Sequence, residues 1–243
     1  MGGQVGQSGR MSESVICIGD VHGAFLTLQS LLAKHPGHRV ILLGDLIDRG
    51  PRSREVVEWA MADNIESVRA NHDDLALAYS RHHRLGYRAK CSDMYDRDVW
   101  LDNGGKKALE SWREPSNRPP LALPPKVLDW FVSLPPYIIL DQESEGRKGL
   151  ISHTGYGLDA DKGNWMRALW GRYPDDGEFV YEKDTGKEID DGYYRIFGHN
   201  RGRVPEVTST YAMVDTGAAY PGYGKLTAMI WPSREIVQVD YCD

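Results

Sequence analysis

The chain has 243 residues and a formal net charge of −6, which suits one α/β domain with a sizeable core and excludes a polybasic nucleic-acid or membrane-surface protein. Its three cysteines, Cys17, Cys91 and Cys242, are too widely spaced for a disulfide framework or zinc ribbon, which favours a reducing, cytoplasmic setting. No apolar run reaches the length of a membrane span.

In chain order, residues 1–13 are polar and glycine-rich without an apolar segment, and are expected to form a disordered tail before a single domain over 14–243. Val15 to Ile18 then reads as a buried strand ending in Gly19-Asp20, with His22 and Gly23 just beyond. Phe25, Leu28, Leu31 and Leu32 recur at helical spacing. Val40 to Leu43 is a second strand, broken by Gly44, Asp45, Asp48, Arg49 and Gly50-Pro51, the proline opening the next helix. Val56, Val57, Trp59 and Ala60 predict that helix, and Ile65 to Val68 a third strand that ends in Asn71, His72 and Asp73. A βαβαβ order implies parallel strands whose carboxyl ends share one edge, so Asp20, Asp45 and Asn71 should lie side by side.

Residues 73–130 predict a helical cap over that edge, interrupted by the proline-rich REPSNRPPLALPP, with a locally basic stretch from Arg81 to Lys90 read as a solvated helix end. The remainder alternates short β-prone runs with Gly, Asp and Pro, and is expected to supply a second sheet packed on the first. Two of these runs end in His153 and His199. With Asp20, His22, Asp45 and Asn71 they offer the mixed oxygen and nitrogen donors that Mn²⁺, Fe²⁺ or Zn²⁺ accept. Strands about 4.8 Å apart let a central carboxylate bridge two ions about 3.5–4 Å apart, and Asp45 is the natural bridge. GAAYPGYGKL lacks the spacing and the Ser/Thr of a P-loop, which argues against a nucleoside triphosphate hydrolase.

GDVHG (19–23), GDLIDRG (44–50) and ANHDD (70–74), with WLDNGGKKAL, ISHTGY, LWGR, IFGHN and VDTGAAYPGYGKLTAMI further on, resemble the phosphoprotein phosphatase family of calcineurin-like metallophosphoesterases, nearest its bacteriophage lambda type and small bacterial relatives. The resemblance runs from about Val15 to Ile230. It implies a two-sheet sandwich flanked by helices, and two divalent ions, Mn²⁺ first. Asp20 and His22 would hold one ion, Asp45 would bridge, and Asn71, His153 and His199 would hold the other. It further implies Arg49, Asn71 and Arg172 on the substrate phosphate, and His72 as general acid oriented by Asp48, with Arg49 beside them. The implied reaction is direct in-line attack by water activated between the ions on a phosphoprotein, phosphopeptide or small phosphoester, in the cytoplasm of a bacterium or phage-infected host. No specific nucleic acid and no membrane is implied as partner.

Serine/threonine phosphatase activity is the first expectation, because Asp48 supports a proton donor that a serine alkoxide needs more than a nucleoside diphosphate does. Symmetrical hydrolysis of diadenosine tetraphosphate is the alternative, and a non-catalytic metal-stapled binding module a more distant one. Ala70, Thr154 and Asn200 depart from the family pattern without removing a ligand, and Ala70 requires a negative φ where the family has glycine.

Overall fold

The computed structural model describes residues 14–82, 90, 98–115, 118–171 and 189–243. The expected tail, most of the basic stretch, Cys91 and Arg172 lie outside these residues. Strand β1 (Val15–Ile18) pairs in parallel with β2 (Arg39–Leu42), and β2 in parallel with β3 (Glu66–Ser67). Helices α1 (Phe25–Lys34) and α2 (Ser53–Ala62) make the two crossovers, as the periodicity of their apolar residues predicts. Pro51 stands before α2 rather than inside its first turn, and β3 keeps two of the four expected residues.

Alternation along β1 divides the core. Ile16 and Ile18 join a cluster with Leu28 and Leu31 of α1 and Val56 and Val57 of α2. Val15 and Cys17 point the other way, into a second cluster between the sheets. Burial on both faces is why the strand reads as an unbroken apolar run.

The second sheet has the order β4-β5-β6-β8-β7, from β4 (Tyr137–Ser144), β5 (Arg147–Ser152), β6 (Tyr193–Phe197), β7 (Glu206–Val207) and β8 (Tyr211–Met213). Leu140, Ile151, Tyr194, Ile196 and Ala212 face Val15, Cys17 and Ile41 across the inter-sheet core. Strands β9 (Lys225–Trp231) and β10 (Glu235–Asp240) correct the expectation that all the later β-runs build this sheet. They complete the first one, in the order β10-β9-β1-β2-β3, with β9 antiparallel to β1. A β-prone run carries no label for the strand it will pair with, and β1 had a free side.

Helix α3 (Asn71–His82), in the region read as a cap, is part of the core, with Leu75, Ala76, Leu77, Ala78 and Tyr79 all buried. A helix apolar on every side needs neighbours all round, and α5 (Pro125–Ser133) supplies one with Val127, Leu128 and Phe131. Leu101–Gly105 is a wide turn leading into α4 (Lys106–Ser111), and Trp100 before it is also buried. The short α6 (Trp165–Trp170) is capped by Asn164, whose side chain accepts from the Arg167 N–H. Lys90 lies over the Trp165 ring and donates its backbone N–H to Asp74.

Helix α1 has no side-chain cap of its own, since Ala24 stands at that position. Asp243 fills the role from the far end of the chain, accepting the N–H groups of Leu26 and Thr27 at 3.0 Å each and the Thr27 hydroxyl at 2.7 Å. Among the described residues, no helix is long and apolar enough to cross a membrane.

Candidate active site

Loops after β1, β2 and β3 deliver Asp20 and His22, Asp45 to Arg49, and Asn71 and His72 to one edge, while β5 and β6 of the other sheet deliver His153 and His199 to the same place. His22, Asp45, Asp48, Arg49 and His199 all have positive φ, from 45° to 77°. Each costs on the order of 1 kcal/mol for a residue with a side chain, so the surrounding packing must hold them there. Ala70, by contrast, is not among the positive-φ residues. Its methyl group packs where Gly44 has none, and a Cβ on Gly44 would come within 2.5 Å of it.

Asp45 occupies the middle. Its Oδ2 lies 3.4 Å from His22 Nε2 and 3.8 Å from His72 Nε2, and its Oδ1 lies 3.5 Å from His153 Nε2. Two clusters of donor atoms result, His22–Asp45–His72 and Asp45–His153–His199, each with all atoms within 4.8 Å of one another. The shared member is the residue expected to bridge. Burial works to raise the Asp45 pKa, but His72, His153, His22 and Arg49, packed round the carboxylate, outweigh it and hold it well below its ordinary range.

The histidines are oriented by backbone oxygens. His22 Nδ1 donates to the Ile47 carbonyl at 2.8 Å and His153 Nδ1 to the Leu43 carbonyl at 2.9 Å, which leaves both Nε2 lone pairs facing the centre. Burial lowers both pKa values, favouring the neutral, ligating form. His153 Nε2 then meets Asn71 Oδ1 at 2.7 Å. An amide oxygen and an imidazole nitrogen turned to one point are the mixed donor pair that a divalent ion accepts.

Asp20 stands apart from both clusters. Its carboxylate accepts the His199 N–H at 3.1 and 3.2 Å, and a Cβ on Gly198 would collide with Asp20 Oδ1. Burial, then Asp215, then Asp45 push its pKa well up. Asp215 follows β8 and is 4% exposed. Its own pKa is raised to about 6, chiefly by burial, against the Gly217 N–H it accepts. The sequence offered VDTG without marking this second buried acid.

A cleft of about 210 Å³ opens over these groups, lined by Asp45, Arg49, Asn71, His72, Asn103, Trp170 and His199. His72 Nδ1 donates to Asp48 Oδ2 at 2.5 Å. Arg49 places one guanidinium nitrogen against His22 Nε2 and the other 2.9 Å from His72 Nε2. Trp100 was missed at the sequence level. Its indole N–H donates to both Asp48 oxygens, at 3.1 and 3.0 Å. Tyr220 lies outside the cleft lining, half-buried under the Arg201 guanidinium.

The chain matches the calcineurin-like phosphoesterase family over residues 14–172 and belongs to it. It is similar to curated bacterial proteins named bis(5'-nucleosyl)-tetraphosphatase PrpE [asymmetrical]. The one from Bacillus mycoides is 27% identical, with 91% of this chain and 92% of that one covered, and the one from Anoxybacillus flavithermus is 26% identical at the same coverage. Among solved structures, a candidate diadenosine tetraphosphatase superposes with a TM-score of 0.60 at 19% identity, covering 96% of both chains. A Saccharomyces cerevisiae protein serine/threonine phosphatase gives 0.54 at 15% identity, covering 95% of this chain and 81% of that one. At those identities the two structures speak for the fold alone.

Proposed function

We propose that this metallophosphoesterase is a dinucleoside polyphosphate hydrolase acting asymmetrically, within one domain spanning 14–243. The observation that carries the hydrolase reading is the pair of donor clusters sharing Asp45 at the cleft that Arg49 and His72 line. The substrate class rests on the PrpE relatives, matched over nearly their whole length. It replaces serine/threonine phosphatase as first choice, and the relatives' asymmetrical cleavage stands where the sequence suggested the symmetrical kind.

Two divalent ions, Mn²⁺ first, held by Asp20, His22, Asp45, Asn71, His153 and His199, would supply charge stabilisation on phosphoryl oxygens and an activated water. Arg49 presents a fork suited to two phosphate oxygens, better than a lysine's point charge. Asn71 and Arg172 would share that phosphate, Asn71 from the cleft wall. His72, with Nδ1–H fixed on Asp48, directs Nε2 to the cleft; with a second proton on Nε2 and Arg49 turned to the phosphate, it would pass that proton to the departing oxygen, a contribution of about 10²–10⁴ in rate. The same donor favours a second reading, hydrolysis of phosphomonoesters with basic leaving groups, phosphoproteins among them. The reducing setting read from the cysteines, a bacterial cytoplasm, would hold either substrate.

The test is a comparison on purified protein with Mn²⁺, using diadenosine tetraphosphate, p-nitrophenyl phosphate and a phosphoserine peptide. Dinucleotide cleavage to ATP and AMP, abolished by chelator, is expected. Two ADP would mean symmetrical attack, a preference for the phosphopeptide would promote the second reading, and no turnover of any of the three would overturn both.

A further inference from the structure

Trp100 is 1% exposed, and its ring is fixed by Tyr79 at 5.0 Å between centroids and by Gly105, where a Cβ would come within 2.5 Å of the indole. Those contacts need only an aromatic body. What distinguishes the residue is its nitrogen, which donates to both oxygens of the fully buried Asp48. A carboxylate held by His72 alone is free to turn about its last side-chain bond, and the ring it orients turns with it. A donor shared by both oxygens removes that freedom. The same turn supports the loop from behind, since Gly104 has φ +116° and a Cβ there would lie 2.8 Å from the Arg49 nitrogen and 3.0 Å from Asp48 Cβ. Ser53 fixes the other side, its hydroxyl accepting the Asp48 N–H at 3.0 Å.

We infer that Trp100 is a positioning residue for proton donation: its indole N–H locks the Asp48 carboxylate, and through it the His72 ring, with Nε2 toward the cleft. The inference rests on the hydrolase reading above and assigns it a residue 52 positions from its partner. Trp100 is not among the residues that line the cleft, so its loss should weaken only what depends on a well-placed acid.

The experiment uses the full chain with Mn²⁺ and compares the parent, Trp100→Phe, Asp48→Asn and the double variant on phenyl phosphate and p-nitrophenyl phosphate. In Trp100→Phe, kcat for phenyl phosphate, whose leaving group needs protonation more, should fall about tenfold or more. For p-nitrophenyl phosphate it should stay within about twofold, with KM unchanged for both. The double variant should lose little beyond Asp48→Asn. If Trp100→Phe folds poorly, 3-benzothienylalanine introduced at position 100 keeps the bicyclic shape without the N–H. Independently of activity, the indole N–H resonance missing from the Trp100→Phe spectrum should shift in Asp48→Asn. Equal losses on both esters, losses that add in the double variant, or an indole resonance indifferent to Asp48→Asn would overturn the assignment. A parent inactive on every substrate would instead overturn the hydrolase reading, while the resonance still reports whether Trp100 engages Asp48.

Discussion

Asp215 and Asp20 are two acids packed into one dry corner, and only one of them was anticipated as a ligand. For Asp215 the folded-state pKa rises from the ordinary 3.8 to about 6, burial being the largest cause. A carboxyl with a raised pKa binds its proton more tightly when folded, so its contribution to stability is full below 3.8 and is lost as pH rises through about 6. In chelator-treated protein, Asp215→Asn should therefore raise Tm relative to the parent above pH 6 and leave it unchanged at pH 4, measured by calorimetry. A lower Tm at both pH values would mean that the corner needs the carboxyl group itself, and the linkage reading would fall. Motifs made Asp45, His72 and Asp48 legible because each follows an apolar run by two to five positions in the chain. Trp100 and Asp215 were not, since their meaning lies in a partner far away in sequence, and neither indole nor aspartate announces such a partner.

Local pattern was sufficient for β1, β2, α1 and α2, where apolar spacing and a turn signal agree. It failed where an element's role depends on what packs against it. The helix from Asn71 read as a cap because its polar start gives no sign that Leu75 through Tyr79 are enclosed, and β9 read as part of the second sheet because pairing is decided by the vacant edge of β1. The capping of α1 is a further case: nothing near Ala24 hints that Asp243 supplies the missing acceptor. Asp243→Ala should cost about 1 kcal/mol, the usual worth of a helix N-cap, seen as a lower midpoint in urea with unchanged slope. A loss no greater than that of an exposed acid such as Asp141 would show that the cap is replaced by water.

Across the molecule, the candidate ligands divide between the sheets, with Asp20, His22, Asp45 and Asn71 on the first and His153 and His199 on the second. An ion held by both groups would act as a cross-link over the inter-sheet core and bind only the folded state. Mn²⁺ at about 100 times its Kd should add about 2.7 kcal/mol of stability, and a His153→Ala, His199→Ala double variant should lose most of that gain while folding without metal. An equal Mn²⁺-induced rise in Tm for the variant would place the ion elsewhere.

Strand β1 comes from residues 15–18, yet its antiparallel neighbour β9 comes from residues 225–231. During synthesis, one side of the central strand keeps its backbone donors and acceptors unsatisfied until β9 has been translated. Such an open margin invites pairing with another nascent polypeptide, so a late arrival at the centre of the sheet makes slow elongation between the two strands a hazard.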